Sequence, residues 1–395
     1  MNKNFLIIGA GLGQVPAIEA AKALGLFTIV IDKNPTAIGM KLADTALQVD
    51  IVNIDKAVSV AHQYNVSGTM TIQSDIGVPT AGAIVDNLGL PGNGLAIANR
   101  CSNKIETRFR LQEFGVPQPR FRIVSDLKET WASVQKIGLP CVVKAPDSSG
   151  SRGVTRVNSL DETKSAFAEA KKYSRDGRIL VEEFIPGIEI GAQAFSVNGI
   201  CEKVLVHNDT LSPPPYMIPT GHSFPSDLPT EKMKIVQAAC AASVEALGIQ
   251  SGPSNIDLIL TADNEPRIIE IGARIGATCL PELVEIHTGI QWVHESIRAC
   301  LGEAVNLESK VDRATAALIL ESPGDGIFTG YTAPPGIDDD KEVVKWEVTV
   351  EPGEEVNVLR KGTDRIGKIV TVADTLKAAE SKAIEMKRRF EFRIQ

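Results

Sequence analysis

Residues 5–8 are apolar without a break and run straight into Gly9-Ala10-Gly11-Leu12-Gly13; alanines then recur at helical spacing over 16–24, and a second apolar run, 27–31, ends at Asp32. A short unbroken apolar run bounded by glycine reads as a buried strand, and 3.6-residue spacing between two such runs reads as a crossover helix. The chain therefore opens as a parallel βαβ unit. The same patterning predicts strands at 46–49 and 68–71, a helix at 54–64 between them and another at 80–88, which gives a first, Rossmann-like domain over residues 1–100. Past Lys104 the pattern changes to a helix, a connection marked by Pro117 and Pro119, strands around a second small-residue loop, and then alternating strands and helices to about residue 302. Strands at 316–321, 343–350 and 366–372 and a helix at 375–389 close the chain. The expected division is 1–100, 101–305 and a small α+β domain over 306–395, an α/β protein without internal repeats.

Composition narrows the function. The chain has 395 residues, 43% of them hydrophobic, enough to bury the cores of two or three domains. Its net charge of −8 repels polyanions, so nucleic acid is not an expected partner. The six cysteines are widely spaced with no C-x-x-C pair, the usage of a reducing cytoplasm. No apolar run reaches the roughly 18 residues that span a bilayer, and the opening run reads as a strand, not a signal peptide. A soluble cytoplasmic protein follows from these features.

Gly9-x-Gly11 before a helix, with Asp32 about twenty residues on, fits a dinucleotide fingerprint and leaves a nicotinamide-dependent dehydrogenase open. Gln14 stands where the third glycine of that fingerprint belongs, and glycine turns of this kind also open domains that bind no cofactor.

Three later segments carry more chemistry. Residues 139–144 form an apolar run that delivers Lys144 at its end and opens onto Asp147-Ser148-Ser149-Gly150-Ser151-Arg152-Gly153. Small residues let backbone N–H groups converge on an anion while Lys144 and Arg152 add charge, which suggests a phosphate clamp; a polar hairpin turn is the alternative. In Ile179-Leu180-Val181-Glu182-Glu183-Phe184-Ile185 two consecutive acids must face opposite sides of a strand, so one points inward. The backbone near Glu183 and Ile185 could read an adenine edge and Glu189 a ribose; an exposed edge strand fits equally well. Finally, 255–260 and 267–271 flank a turn at Ala262-Asp263-Asn264. A turn centred between Asp263 and Asn264 sets Asp257 opposite Glu270, roughly 5 Å apart, a repulsive pair that a hard divalent cation such as Mg²⁺ relieves. Arg274, four residues on, is placed to meet a phosphoryl group or a carboxylate.

In order and spacing, Lys104, Lys144, the small-residue loop, Glu182-Glu183-Phe184-Ile185, Glu189, Asp257, Glu270 and Arg274 resemble the ATP-grasp superfamily. The opening glycine turn, Asp32-Lys33-Asn34-Pro35 and Gly89-Leu90-Pro91-Gly92 resemble biotin carboxylase and the purine-pathway carboxylating synthetases. Residues 269–277 are nearer to the L-amino acid ligases. The resemblance implies an ATP-grasp fold with a pre-ATP-grasp domain and a lid over 112–188. It implies a carboxylate-amine ligase acting through an acyl phosphate, with ATP and Mg²⁺, or Mn²⁺, as cofactors. By the same likeness, Lys104 and Lys144 contact the phosphates, and Ser148, Ser149, Gly150, Ser151, Arg152 and Gly153 close over them. Glu182, Glu183 and Ile185 hold adenine, Glu189 the ribose, and Asp257 with Glu270 the metal. Arg274 and Gly276 meet the substrate, with Arg274 and Lys144 in catalysis. The pattern departs at Gly272, where the family commonly carries asparagine, so one metal ion or two stays open.

Residues 206–223, rich in proline, read as an irregular loop at the acceptor pocket, with His222 a candidate for binding substrate or shuttling a proton. His62, His287 and His294 fall in expected helices and read as structural. The partners implied are a small-molecule carboxylate and an amine, with a homodimer left open. A carboxylating or carbamoyl-phosphate-type enzyme is the nearest rival within the superfamily, and a non-catalytic nucleotide sensor lies outside it.

Overall fold

The computed structural model describes residues 3–150, 152–213 and 218–395. Ser151, singled out above, and residues 214–217 of the proline-rich stretch over 206–223 lie outside the described residues. The chain forms two compact units, one of residues 1–205, 230–277 and 291–307 and the other of 206–229, 278–290 and 308–395.

The first unit opens with a parallel sheet in the order Thr45–Gln48, Phe27–Asp32, Asn4–Ile8, Val66–Met70. Leu6, Ile8, Ile29 and Ile31 project into one cluster with Ala57, Val60, Ala61 and Ile84 from the helices Ile54–Gln63 and Val78–Leu88. Phe5, Ile7 and Val30, from the opposite side of the same strands, are equally inaccessible to solvent. Burial on both faces is why these strands are continuous apolar runs and do not alternate.

A helix not anticipated from the sequence, Leu95–Ser102, leads to the helix Lys104–Glu113. Asn103 starts the second helix, its Oδ1 accepting from the N–H of Ile105 at 2.9 Å, so Lys104 is the first helical residue. Arg108, one turn later, shares its face. Next comes a four-stranded antiparallel sheet in the order Phe121–Val124, Ile179–Glu183, Cys141–Lys144, Val154–Val157. Val134 and Ala170, from the helices Leu127–Ile137 and Thr163–Tyr173, pack on Val124, Val143, Ile179 and Val181. In the same unit the strand Gly252–Leu260 lies between Ile188–Val197 and Pro266–Gly272, antiparallel to both.

In the second unit, residues 208–211 pair with the strand Pro219–Phe224, which pairs with Ala314–Glu321, then Arg365–Ala373, then Val343–Val348. The helix Leu376–Arg389, capped by Thr375, packs Ala379 and Ala383 against Ala314 and Ala316. The strands Gly326–Thr332 and Glu391–Ile394, which also pair, were not anticipated. The expected irregular loop over 206–223 is corrected here: most of it is a hairpin of two strands, Ile200–Leu211 and Pro219–Phe224. Val204-Leu205-Val206-His207 has the composition of a strand, and Pro219 begins the second strand of the pair.

Candidate active site

The charged residues picked out above, His222 excepted, gather in the first unit around two acids on the strand Pro266–Gly272 and its neighbour and one on Ile179–Glu183. Glu182 points inward and Glu183 outward, as alternation requires. Glu182 is 2% exposed and sits between two cations: Lys144 Nζ at 2.7 Å from Oε2 and Arg108 Nε at 2.6 Å from Oε1. Burial opposes its charge, but Arg108 and Lys144 overcome this and hold the carboxyl at about 2. Lys144 is pulled the other way, to about 8, because burial and the nearby Arg108 and Lys104 cations outweigh one shared carboxylate. Glu183 pairs with Arg120 at 3.0 Å on the outer face.

Lys104 links two parts of the site. Its Nζ lies 2.9 Å from Glu270 Oε1 and donates to the carbonyl of Ser148 at 2.7 Å, while its backbone N–H donates to Pro146 at 2.8 Å. The small-residue loop is closed at its base by the N–H of Ala145 donating to Gly153 at 3.0 Å. Gly153 has φ +67°, and a Cβ there would come within 2.9 Å of the Tyr173 ring. Ser148 Oγ donates to the Arg152 carbonyl at 2.6 Å, and the exposed Arg152 turns back to the Ser149 carbonyl at 3.0 Å.

Asp257 pairs directly with Glu270. A divalent cation is not the sole relief for their repulsion, because the Lys104 ammonium already offsets the Glu270 charge. Asp257 Oδ1 accepts from Asn255 Nδ2 at 3.2 Å, Asn255 Oδ1 accepts from Gln193 Nε2 at 2.6 Å, and Gln193 Oε1 accepts the N–H of Gly276 at 3.0 Å. This amide relay fixes both an acid and the Gly276 backbone. Two carboxylates facing across a ladder, oriented by amides, are an oxygen donor set that fits a hard divalent cation.

Arg274 is engaged by Asp75, Nε to Oδ1 and Nη2 to Oδ2, both at 2.8 Å. Burial works against both charges, yet Arg274 keeps the Asp75 carboxyl below the usual carboxylate range, and Asp75 raises the guanidinium in turn. Ile185 is buried, and Glu189 lies near the exposed start of its strand, opposite Ile259. Sequence reasoning missed Arg108, Asp75, Gln193 and Asn255.

His222 belongs to the second unit. Its Nδ1 lies 2.6 Å from Asp209 Oδ1, and His207 Nδ1 lies 2.9 Å from the same oxygen. Burial depresses the basicity of His222 despite that carboxylate. His62, His287 and His294 are in helices, as expected.

The first glycine turn is filled by its own side chains. Asp32 Oδ2 accepts from the N–H of Ala10 at 2.9 Å, and Gln14 Oε1 accepts from Gly11 at 3.1 Å while Nε2 donates to Ile72 at 2.7 Å. The N–H groups a pyrophosphate would need at Ala10 and Gly11 are thus taken.

Among the described residues no helix is long and apolar enough to cross a membrane. Comparison with known proteins finds an ATP-grasp domain over residues 137–282 and L-amino acid ligase C-terminal domain 2 over 318–395. A D-alanine–D-alanine ligase of Aromatoleum aromaticum is 29% identical over 209 residues, 50% of this chain and 65% of that ligase. A crystal structure of phosphoribosylglycinamide synthetase from Anaerococcus prevotii superposes with a TM-score of 0.83 at 28% identity, covering 100% of both chains. L-amino acid ligase from Bacillus licheniformis shares the fold, with a TM-score of 0.86 at 23% identity over 100% of this chain and 99% of that one.

Proposed function

With an ATP-grasp domain and an L-amino acid ligase C-terminal domain in one chain, the protein is an ATP-dependent ligase of the ATP-grasp type, and we propose that it activates an amino acid as an acyl phosphate and transfers the acyl group to an amine. The observation that carries this reading is the convergence of Lys104, Lys144 and Arg274 with the facing pair Asp257 and Glu270 within one unit.

In this reading Lys104 and Lys144 bind the polyphosphate, and the loop over 148–153 folds onto it with its backbone N–H groups. Lys104, held between Glu270 and the Ser148 carbonyl, couples that movement to the acids. Glu182 and the backbone from Glu183 to Ile185 take adenine, and Glu189 takes the ribose. Asp257 and Glu270 hold Mg²⁺, or Mn²⁺ in its place, which neutralises charge on the transferring phosphoryl group when bound. The substrate carboxylate attacks the γ-phosphorus, the bond to the β–γ bridging oxygen breaks, and ADP leaves. Arg274 steadies the acyl phosphate that results. An amine lone pair then attacks the acyl carbon, inorganic phosphate departs and the amine loses a proton. That proton passes to the departing phosphate or to solvent, and His222, in the second unit, is given no step.

ADP release measured against a broad panel of acids, singly and with amines, tests the reading. Release is expected only with a matching acid and a divalent metal. The same rate of release with and without every acid would overturn it.

A further inference from the structure

We propose that Asp75 and Arg274 form one recognition site for a zwitterionic α-amino acid, Arg274 taking the carboxylate end and Asp75 the ammonium; this rests on the ligase reading above. Asp75 lies in the connection between the strand Val66–Met70 and the helix Val78–Leu88. That connection is stitched to the segment after Glu270: Gln73, at φ +58°, donates its N–H to the Ile275 carbonyl at 3.0 Å. A Cβ on Gly272 would lie 2.7 Å from Asp75 Oδ1, so the carboxylate rests directly over the strand, two residues past Glu270. Asp75 is thus built into the same charge cluster as the acids across from Lys104, and both it and Arg274 are largely shielded from water, with side chains 19% and 12% exposed.

Without substrate the pair satisfies itself. A guest carboxylate that draws Arg274 away leaves Asp75 as a shielded anion with no counter-charge, a state far costlier than the starting pair. Lys104 also lowers the Asp75 carboxyl, but its ammonium is engaged by Glu270 and the Ser148 carbonyl and does not replace the two hydrogen bonds of Arg274. A simple carboxylic acid therefore meets a penalty that an α-amino acid avoids. The ammonium of an α-amino acid stands one carbon from its carboxylate, so a single guest replaces one ion pair with two. Arg274 lines a small cavity of about 60 Å³ whose wall, otherwise mostly apolar, carries Thr69 and Thr71. Among the described residues the hydroxyls of those two threonines find no hydrogen-bond partner.

The test uses the full chain with MgATP and hydroxylamine, which traps an acyl phosphate as its hydroxamate whatever the natural amine. Each L-amino acid is paired with its des-amino acid, alanine with propionate and onward. Wild-type protein should prefer the amino acid by at least about a hundredfold in kcat/KM, a floor below the roughly 10⁴-fold by which a site built for a polar group can reject its absence. Asp75→Asn, nearly isosteric, should cut that preference at least about tenfold while sparing the des-amino acid. Equal losses for both acids would show that Asp75 only orients Arg274, and would overturn the proposal. A raised Mg²⁺ requirement with the preference intact would make Asp75 a metal-site residue, and would overturn it as well. If Asp75→Asn shows no cooperative thermal transition and so does not fold, the wild-type preference decides alone, and a ratio near one contradicts the site. Hydroxamate from no acid of either series would fail the ligase reading itself, and the recognition site with it.

Discussion

Asp257 faces Glu270 because Ile269 is an extra residue on the Glu270 strand. From Leu258↔Ile268 to Leu260↔Pro266 the hairpin keeps one register, and from Asp257↔Glu270 to Asn255↔Gly272 it keeps another, one residue apart. Without that bulge Asp257 would meet Ile269 and the two acids would lie on different faces. The bulge is fastened by Arg108, whose guanidinium donates to the carbonyls of Ile268 and Ile269 at 3.3 and 2.7 Å while also holding Glu182. One buried arginine thus fixes both the facing pair of acids and Glu182.

Removal of Arg108 should therefore be felt in folding as well as in activity. Arg108→Met leaves Glu182 with one cation and frees two bulge carbonyls, and should lower stability to urea by about 3 kcal/mol or more. Arg108→Lys keeps the charge but not the fork, and should fall between. A urea midpoint for Arg108→Met equal to wild type would show that the bulge stands without it.

Glu270 should behave in the opposite way. Its side chain is partly exposed and its charge is offset by Lys104, so Glu270→Gln should leave the melting temperature of the free protein within about 2 °C of wild type. Turnover should drop at least about a hundredfold, the scale of losing a charge-stabilising contact at a transferring group. MgATP should raise the wild-type midpoint and raise the variant's much less. Full turnover in Glu270→Gln would make this a structural acid.

The sequence carried the Asp257–Glu270 pairing, but by a shorter route than the molecule takes. A symmetric turn and a tighter turn with one bulge give the same partners, and alternation alone does not separate them. Lys144 at the end of an apolar run, and the inward turn of one of the two acids Glu182 and Glu183, were legible because strand periodicity decides them; which acid turns inward was not. Arg108 was not: it sits among charged helix residues, and its partner Glu182 is 74 positions away. Asp75 lies 199 positions from Arg274, in a turn whose composition marks nothing beyond a connection. Long-range ion pairs of this kind leave no local pattern.

Gly272 and Asp75 should be coupled. Gly272→Ala puts a methyl group where Asp75 Oδ1 lies, so it should displace the carboxylate and cost about tenfold in kcat/KM. The same change made beside Asp75→Ser should cost little, and kinetics of the two single variants and the double variant would show a coupling of about 1 kcal/mol or more. Additive effects would mean the two residues act apart.

In its proposed place at the polyphosphate, Lys144 should give nucleotide binding a pH dependence. In the free protein it loses its proton near pH 8, below the ordinary lysine value of 10.5. Polyphosphate favours the charged form, so the complex holds more protons than the free protein above pH 8. ATP affinity should then fall as pH rises through 8, and binding at pH 8.5 should take up a proton, read as a heat that changes with the buffer's ionisation enthalpy. Lys144→Gln should bind more weakly and lose the buffer dependence. The same buffer dependence in the variant would assign the proton elsewhere.

The central claim is that the acid's own oxygen attacks ATP, and oxygen tracing tests it most directly. A substrate acid labelled with ¹⁸O in its carboxylate is turned over with MgATP and an amine, and the inorganic phosphate is weighed by mass spectrometry. Phosphate carrying one ¹⁸O for each amide formed is the predicted result, since the bridging oxygen of the acyl phosphate leaves with phosphorus. Amide formed together with unlabelled phosphate would contradict the acyl phosphate route.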